Sequence, residues 1–258
     1  MPTGIVHRLS PEEEELAAKR DELAQLEAQL ADEELALASL KAELAAFEGL
    51  YLRRVGVLYS ELDDWNARLA ELKAERLATP EASSEAAAAR AQAEESYSAA
   101  HSEAAEVQPV ALSPELKKLY REVAKRVHPD TASDDADRTR RERLMKEVNA
   151  AYAAGDEDAL RRILAGLDSS PDAVQGSGVG ADLIRVLRQL KQIRNRIAQI
   201  ESEIAEASET EIAKLKAKVD DAAIKGRNLL EEMAATVQGR VNVAKQQFRN
   251  ALEKSRGK

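Results

Sequence analysis

Stepping by seven from Leu9, the chain places Leu16, Leu23, Leu30, Leu37, Leu44, Tyr51, Leu58, Trp65 and Leu72 in one row with no charged residue in it. Residues seven apart share one helix face, so an apolar row held this long specifies a coiled-coil seam. A second row follows the first, three residues later at Leu26, Leu40 and Phe47, then four residues later at Val55, Leu62 and Leu69. The change between Phe47 and Val55 is a stutter, which unwinds a supercoil locally. Ser10-Pro11 and the four glutamates after it predict the start of this helix: a cap, a first-turn proline and acid against the helix dipole. Thr79-Pro80 predicts its end.

The last segment mirrors the first. Leu183, Leu187, Leu190, Ile193, Ile197, Ile200 and Ile204 follow steps of three and four, and the pattern resumes from Ile212 to Phe248. Ser208-Glu209-Thr210-Glu211 reads as a fresh capping box and hence a break. Gly226 and Gly239 are expected to weaken the helix without ending it, at about 1 kcal/mol each against alanine. Residues 1–80 carry net charge −8, residues 81–180 carry −6 and residues 181–258 carry +5. Opposite charge on two rods of similar length, each roughly 100 Å at about 1.5 Å per residue, predicts that they pair antiparallel within one chain. A parallel dimer of each helix is the competing arrangement.

Composition supports rods over a broad core. Aromatics are 3% of the chain and charged residues 33%, a mixture that makes helices easily and supplies few bulky side chains. Without cysteine there is no disulfide, thiolate metal site or thiol nucleophile. The opening residues lack the apolar stretch of a secretory signal, and no run of about 18 apolar residues predicts a membrane span, so a cytoplasmic protein is expected. His7 and His101 are isolated, and no metal or cofactor is expected. The glycine cluster of residues 175–180 has no strand before it and no Gly-Lys-Ser/Thr ending, so it reads as a flexible joint. The basic end (Lys245, Arg249, Lys254, Arg256, Lys258) has little aromatic interleaving, which disfavours a nucleic-acid role.

The middle behaves differently. Ser113-Pro114-Glu115 opens a helix whose apolar face is Leu116, Leu119, Tyr120, Val123 and Val127, with Lys117, Arg121 and Lys125 four apart on another face. His128-Pro129-Asp130 must stop it, since proline cannot continue a helix. A second helix carries Leu144, Val148, Ala151 and Tyr152, Gly155 ends it, and Asp156 caps a short third helix over 157–165. The expected division is a coiled-coil helix at 1–80, an Ala/Glu-rich helical connector at 81–109, the hairpin at 110–167, a linker at 168–180 and a coiled-coil helix at 181–258.

Glu-Leu-Lys-Lys-Leu-Tyr-Arg-Glu-Val-Ala-Lys-Arg-Val-His-Pro-Asp at 115–130 resembles the second helix and signature turn of a J domain, and Met-Lys-Glu-Val-Asn-Ala-Ala-Tyr at 145–152 resembles its third helix. The resemblance covers about a fifth of the chain and excludes the rods. It implies a co-chaperone that binds a DnaK-type ATPase and stimulates its ATP hydrolysis, with a client or a second copy held by the coiled coils. His128, Pro129 and Asp130 map onto the stimulating tripeptide; Lys117, Lys118, Arg121, Lys125 and Arg126 map onto the basic docking face. No catalytic residue is implied in this chain. Two departures stand out. Glu122 puts acid on the basic helix, and the family's first helix is not recognisable, so the helix around Tyr97 or the stretch Val110–Leu112 would have to cover the hairpin's apolar face. A structural coiled-coil protein with a non-stimulating hairpin is the alternative.

Overall fold

The computed structural model describes residues 10–107, 109–110, 112–132, 134–168 and 178–256, and among these the regular structure is all helical. In order the elements are α1 (Pro11–Tyr51), a π-helical turn (Leu52–Gly56), α2 (Val57–Leu77), α3 (Pro80–Ala100), α4 (Glu103–Glu106), α5 (Pro114–Val127), a 3-10 turn (Pro129–Thr131), α6 (Asp135–Ala153), α7 (Glu157–Asp168), α8 (Val179–Ser208), α9 (Glu211–Ile224) and α10 (Leu229–Arg256). Most of the linker expected at 168–180, together with His7, Leu9 and Lys258, lies outside the described residues. No described helix is long and apolar enough to cross a membrane.

Local signals set the helix ends. Ser10 and Glu13 form a reciprocal capping box: Ser10 Oγ accepts from Glu13 N at 3.3 Å and Ser10 N donates to Glu13 Oε2 at 2.7 Å. The stutter becomes the π-helical turn, in which Val57 N–H donates to the carbonyl of Leu52, five residues back. One extra residue per turn moves the second apolar row from three to four residues after the first. The first helical segment ends at Leu77, just before Thr79-Pro80, and Thr79 then caps α3; Thr210 caps α9 after the break at Ser208. Gly226 corrects the sequence expectation: at φ +73° it turns the chain, and the helix stops at Ile224.

The chain divides into two units that interleave in sequence, one of residues up to Ala42 with Val110–Ser208, the other of Glu43–Pro109 with Glu209–Lys258. The linear series of rod, connector, hairpin and rod is therefore not how the contacts partition. In the first unit, α1 meets α8 through Leu16 with Val186 and Leu190, then through Leu30 and Leu37 with Ile193, Ile197 and Ile200. Fully burying one such isoleucine stabilises by about 1.5–3 kcal/mol. Arg20 pairs with Asp182 at 3.1 Å, Glu22 with Arg194, and Lys41 with Glu203 at 3.1 Å.

In the second unit, Phe47, Val55 and Leu62 pack with Leu230, Val237, Val241 and Ala244. Trp65 tilts onto Phe248 at 5.5 Å between ring centroids, and Glu61 pairs with Lys245 at 2.6 Å. Within each unit the partner numbers rise together. The first and last segments therefore run parallel, which corrects the antiparallel expectation. Opposite net charge favours pairing but encodes no direction along the axis. Between the two segments, α3 runs back along α2: Arg90 bonds Glu71 at 2.8 Å and Asp64 at 3.2 Å, Ser96 bonds Asp63 at 2.5 Å, and Arg53 reaches the Val107 carbonyl at 2.8 Å. Ala82, Ala86, Ala93 and Ala100 are buried along α3, where side chains this small let two helix backbones approach closely. The stretch read as a connector is thus a packed helix of the second unit.

Candidate docking surface

The middle helices form an antiparallel hairpin because their apolar faces match. Leu116, Tyr120, Val123 and Val127 of α5 are buried with Met145, Val148 and Tyr152 of α6 and Leu160 of α7. The Tyr120 and Tyr152 rings lie 4.7 Å apart, tilted by 56°, and the Tyr120 hydroxyl donates to Asn149 Oδ1 at 2.7 Å. Burial pushes the Tyr120 phenol well above its usual range. Ser113, Asp134 and Asp156 cap the three helices in turn, accepting from Leu116 N at 2.9 Å, Asp137 N at 2.8 Å and Ala159 N at 2.8 Å. Gly155 ends α6 at φ +68°.

The hairpin's apolar face is covered partly by Leu112, from one of the two stretches expected, and partly by α1, which was not expected there. Leu35 and Ala38 of α1 join the hairpin core, and Ser39 and Tyr152 hydroxyls bond at 2.7 Å. Leu112 packs against the same core, while Tyr97 belongs to the other unit and lies 61% exposed. The rod itself therefore covers the hairpin.

His128, Pro129 and Asp130 sit together at the turn between α5 and α6, with Thr131 N and Oγ1 both donating to the His128 carbonyl at 3.1 and 2.8 Å. The imidazole is buried, 3% exposed. Its Nδ1 accepts from Asp130 N–H at 3.2 Å, so the ring proton lies on Nε2 and is donated to Glu34 Oε1 at 3.1 Å. Glu34, from α1, also receives Arg196 of α8 at 2.8 Å, and Arg196 holds Glu203 at 2.8 Å. Burial pushes the Glu34 carboxyl up, but the hydrogen bond from His128 and the charge of Arg196 outweigh it and hold the group below the usual carboxylate range. Asp130 is half-buried, with Arg138 at 3.6 Å.

Of the five basic residues expected on α5, Lys118, Arg121, Lys125 and Arg126 are exposed and Lys117 is half-buried. Arg121 pairs with Asp32 of α1 at 2.7 Å, and Arg126 pairs with Glu122 at 3.3 Å. Burial raises the Glu27 carboxyl against the opposing charges of Lys125 and Arg141, both on the hairpin. Arg141 ties the two helices by donating to the Arg126 carbonyl and to Thr131 Oγ1, each at 2.9 Å.

The residues that sequence reasoning missed are Glu34, Asp32 and Arg196. Glu34 lies four after Leu30 and three before Leu37, and Arg196 lies three after Ile193 and four before Ile200. Acid on one apolar face and base on the other was the available signal. Among the described residues no group of three or more His, Asp or Glu side chains could hold a metal. The arrangement offers a contact surface, a turn beside a basic helix face. No family model, no curated protein and no solved structure matches this chain.

Proposed function

We propose that this chain is a J-type co-chaperone, which recruits a DnaK-type ATPase and stimulates its hydrolysis of ATP towards clients or partners held by its seams, themselves intrachain coiled coils. What supports the reading above all is the α5–α6 hairpin with His128-Pro129-Asp130 at its turn and Lys117, Lys118, Arg121, Lys125 and Arg126 along α5. A row of cations steers an acidic partner electrostatically, and a turn packed from beneath fixes the angle of contact. The chain makes and breaks no bond itself, and the cytoplasm is the expected site of action. The test is steady-state ATP hydrolysis by a DnaK-type ATPase with the wild-type protein and with His128→Gln. Stimulation of several-fold that His128→Gln abolishes is the expected result; equal, negligible rates with both proteins reject it.

One observation favours a second reading, a scaffold whose hairpin stimulates nothing. The His128 imidazole is buried and bonded to Glu34, a structural role that needs no outside partner. A His128→Gln protein that melts earlier, alongside a wild type without effect on the ATPase, selects that reading.

A further inference from the structure

Resting on the co-chaperone reading, we propose that α1 and α8 clamp the hairpin in a closed state, with Glu34 as the latch, and that the ATPase docks only after the clamp opens. One carboxylate ties three elements together. Glu34 of α1 accepts from His128 at the turn and from Arg196 of α8, and α8 packs directly against the turn Pro129–Thr131. A side chain 3% exposed and bonded at both ring nitrogens cannot touch a second protein without first leaving these partners.

The neighbouring acids act in the same sense. Asp32 sits on Arg121 at 2.7 Å, and the charge of Lys125 acts on the half-buried Glu27. An acidic partner docking on α5 must therefore displace acids that α1 already presents to the same cations. The rod occupies the docking face with the charge its partner would bring. Binding then costs the closed protein the free energy of opening, and apparent affinity falls by the fraction that is open. Lys118, exposed on α5, leaves a place for first encounter.

The experiment compares ATPase stimulation by full-length wild type, Glu34→Gln with Asp32→Asn, and that double variant with His128→Gln added, while amide hydrogen exchange follows Asp130 and Thr131. The expected result is faster exchange at the turn and at least five-fold greater stimulation in the double variant, lost again with His128→Gln. Equal stimulation by wild type and the opened variant overturns the clamp and leaves the co-chaperone reading standing. Faster exchange with no stimulation in any variant overturns the co-chaperone reading and the clamp with it. Slow exchange at Val123 and Val148 certifies that the variants fold. As a control independent of the latch, Asp32→Cys with Arg121→Cys, bridged by a short bis-maleimide, should stimulate less than the same protein unbridged; equal rates count against the clamp.

Discussion

The two parallel seams make the same kind of contact and tolerate charge very differently. In the second unit Phe47, Val55 and Leu62 face Leu230, Val237 and Val241, with the charged pair Glu61–Lys245 at the partly exposed margin. In the first unit the row Leu30, Leu37, Ile193, Ile197 and Ile200 is joined by Glu34, 5% exposed, whose partners come from two other elements. A heptad pattern alone does not demand that carboxylate. It is accommodated because the hairpin brings His128 and α8 brings Arg196, so the charge marks where a third element docks on the seam.

Removing half of the cluster should break the comparison most strongly. Glu34→Ala leaves the buried imidazole without its acceptor and Arg196 with Glu203 alone, and losing one partner of a buried pair costs up to about 3–5 kcal/mol. Chemical denaturation followed by hydrogen exchange at Val148 should register the loss in the first unit. Glu34→Leu with Arg196→Leu makes the first seam resemble the second. It should recover part of that stability, since apolar replacement of a buried pair is often neutral or better, while the His128 Nε2–H stays without its acceptor. A double variant as unstable as Glu34→Ala would show that the charges themselves build the seam.

The second unit should fail in the opposite way, by overfilling. Ala93 is 5% exposed on the face of α3 that meets α2, so Ala93→Leu forces side chains into a contact sized for methyl groups. About 1–3 kcal/mol of destabilisation is expected, read as faster exchange at Val237 and Val241 with Val148 unchanged. Loss of protection in both units would remove the distinction between them.

These contrasts show what was legible beforehand. The row from Leu16 to Leu72, the caps at Ser10, Ser113 and Asp156 and the shift of row at the π-helical turn are local, and local pattern is where sequence speaks clearly. The direction of pairing was not legible, because an apolar row packs either way and the contacts that show it join residues far apart in the chain, such as Arg20 with Asp182 and Lys41 with Glu203. At the candidate site the tripeptide and its cations could be read off one helix and turn. The latch could not, since Glu34 and Arg196 stand 162 residues apart and nothing in the spacing names His128 as their common neighbour.

Acid should separate the units next. Glu34 has a folded-state pKa below its ordinary value, so its contribution is fully present above about pH 4.5 and disappears as pH falls through the depressed value. Glu27 works the other way, because its raised pKa makes the charged form the disfavoured one in the folded state. The net expectation is that exchange at Val148 accelerates below about pH 4.5 in wild type, and that Glu34→Gln flattens this dependence. An unchanged pH profile in Glu34→Gln would assign the acid sensitivity to other carboxyls.

The smallest effect should come from the acid two residues away. Asp32 is 64% exposed at its side chain and Arg121 46% exposed, so their 2.7 Å contact competes with water and salt. Pairs of this kind contribute about 0.2–1 kcal/mol, and Asp32→Asn should therefore shift stability by less than 1 kcal/mol, with the shift shrinking as salt screens it. A double-mutant cycle with Arg121→Gln, run at low and high ionic strength, measures the coupling. A coupling as large as that of Glu34 with Arg196 would mean that the exposed acid, and not burial at the seam, holds α1 against the hairpin. A small and salt-sensitive value leaves Glu34 as the structural contact and gives Asp32 a part only in electrostatic competition for the basic face.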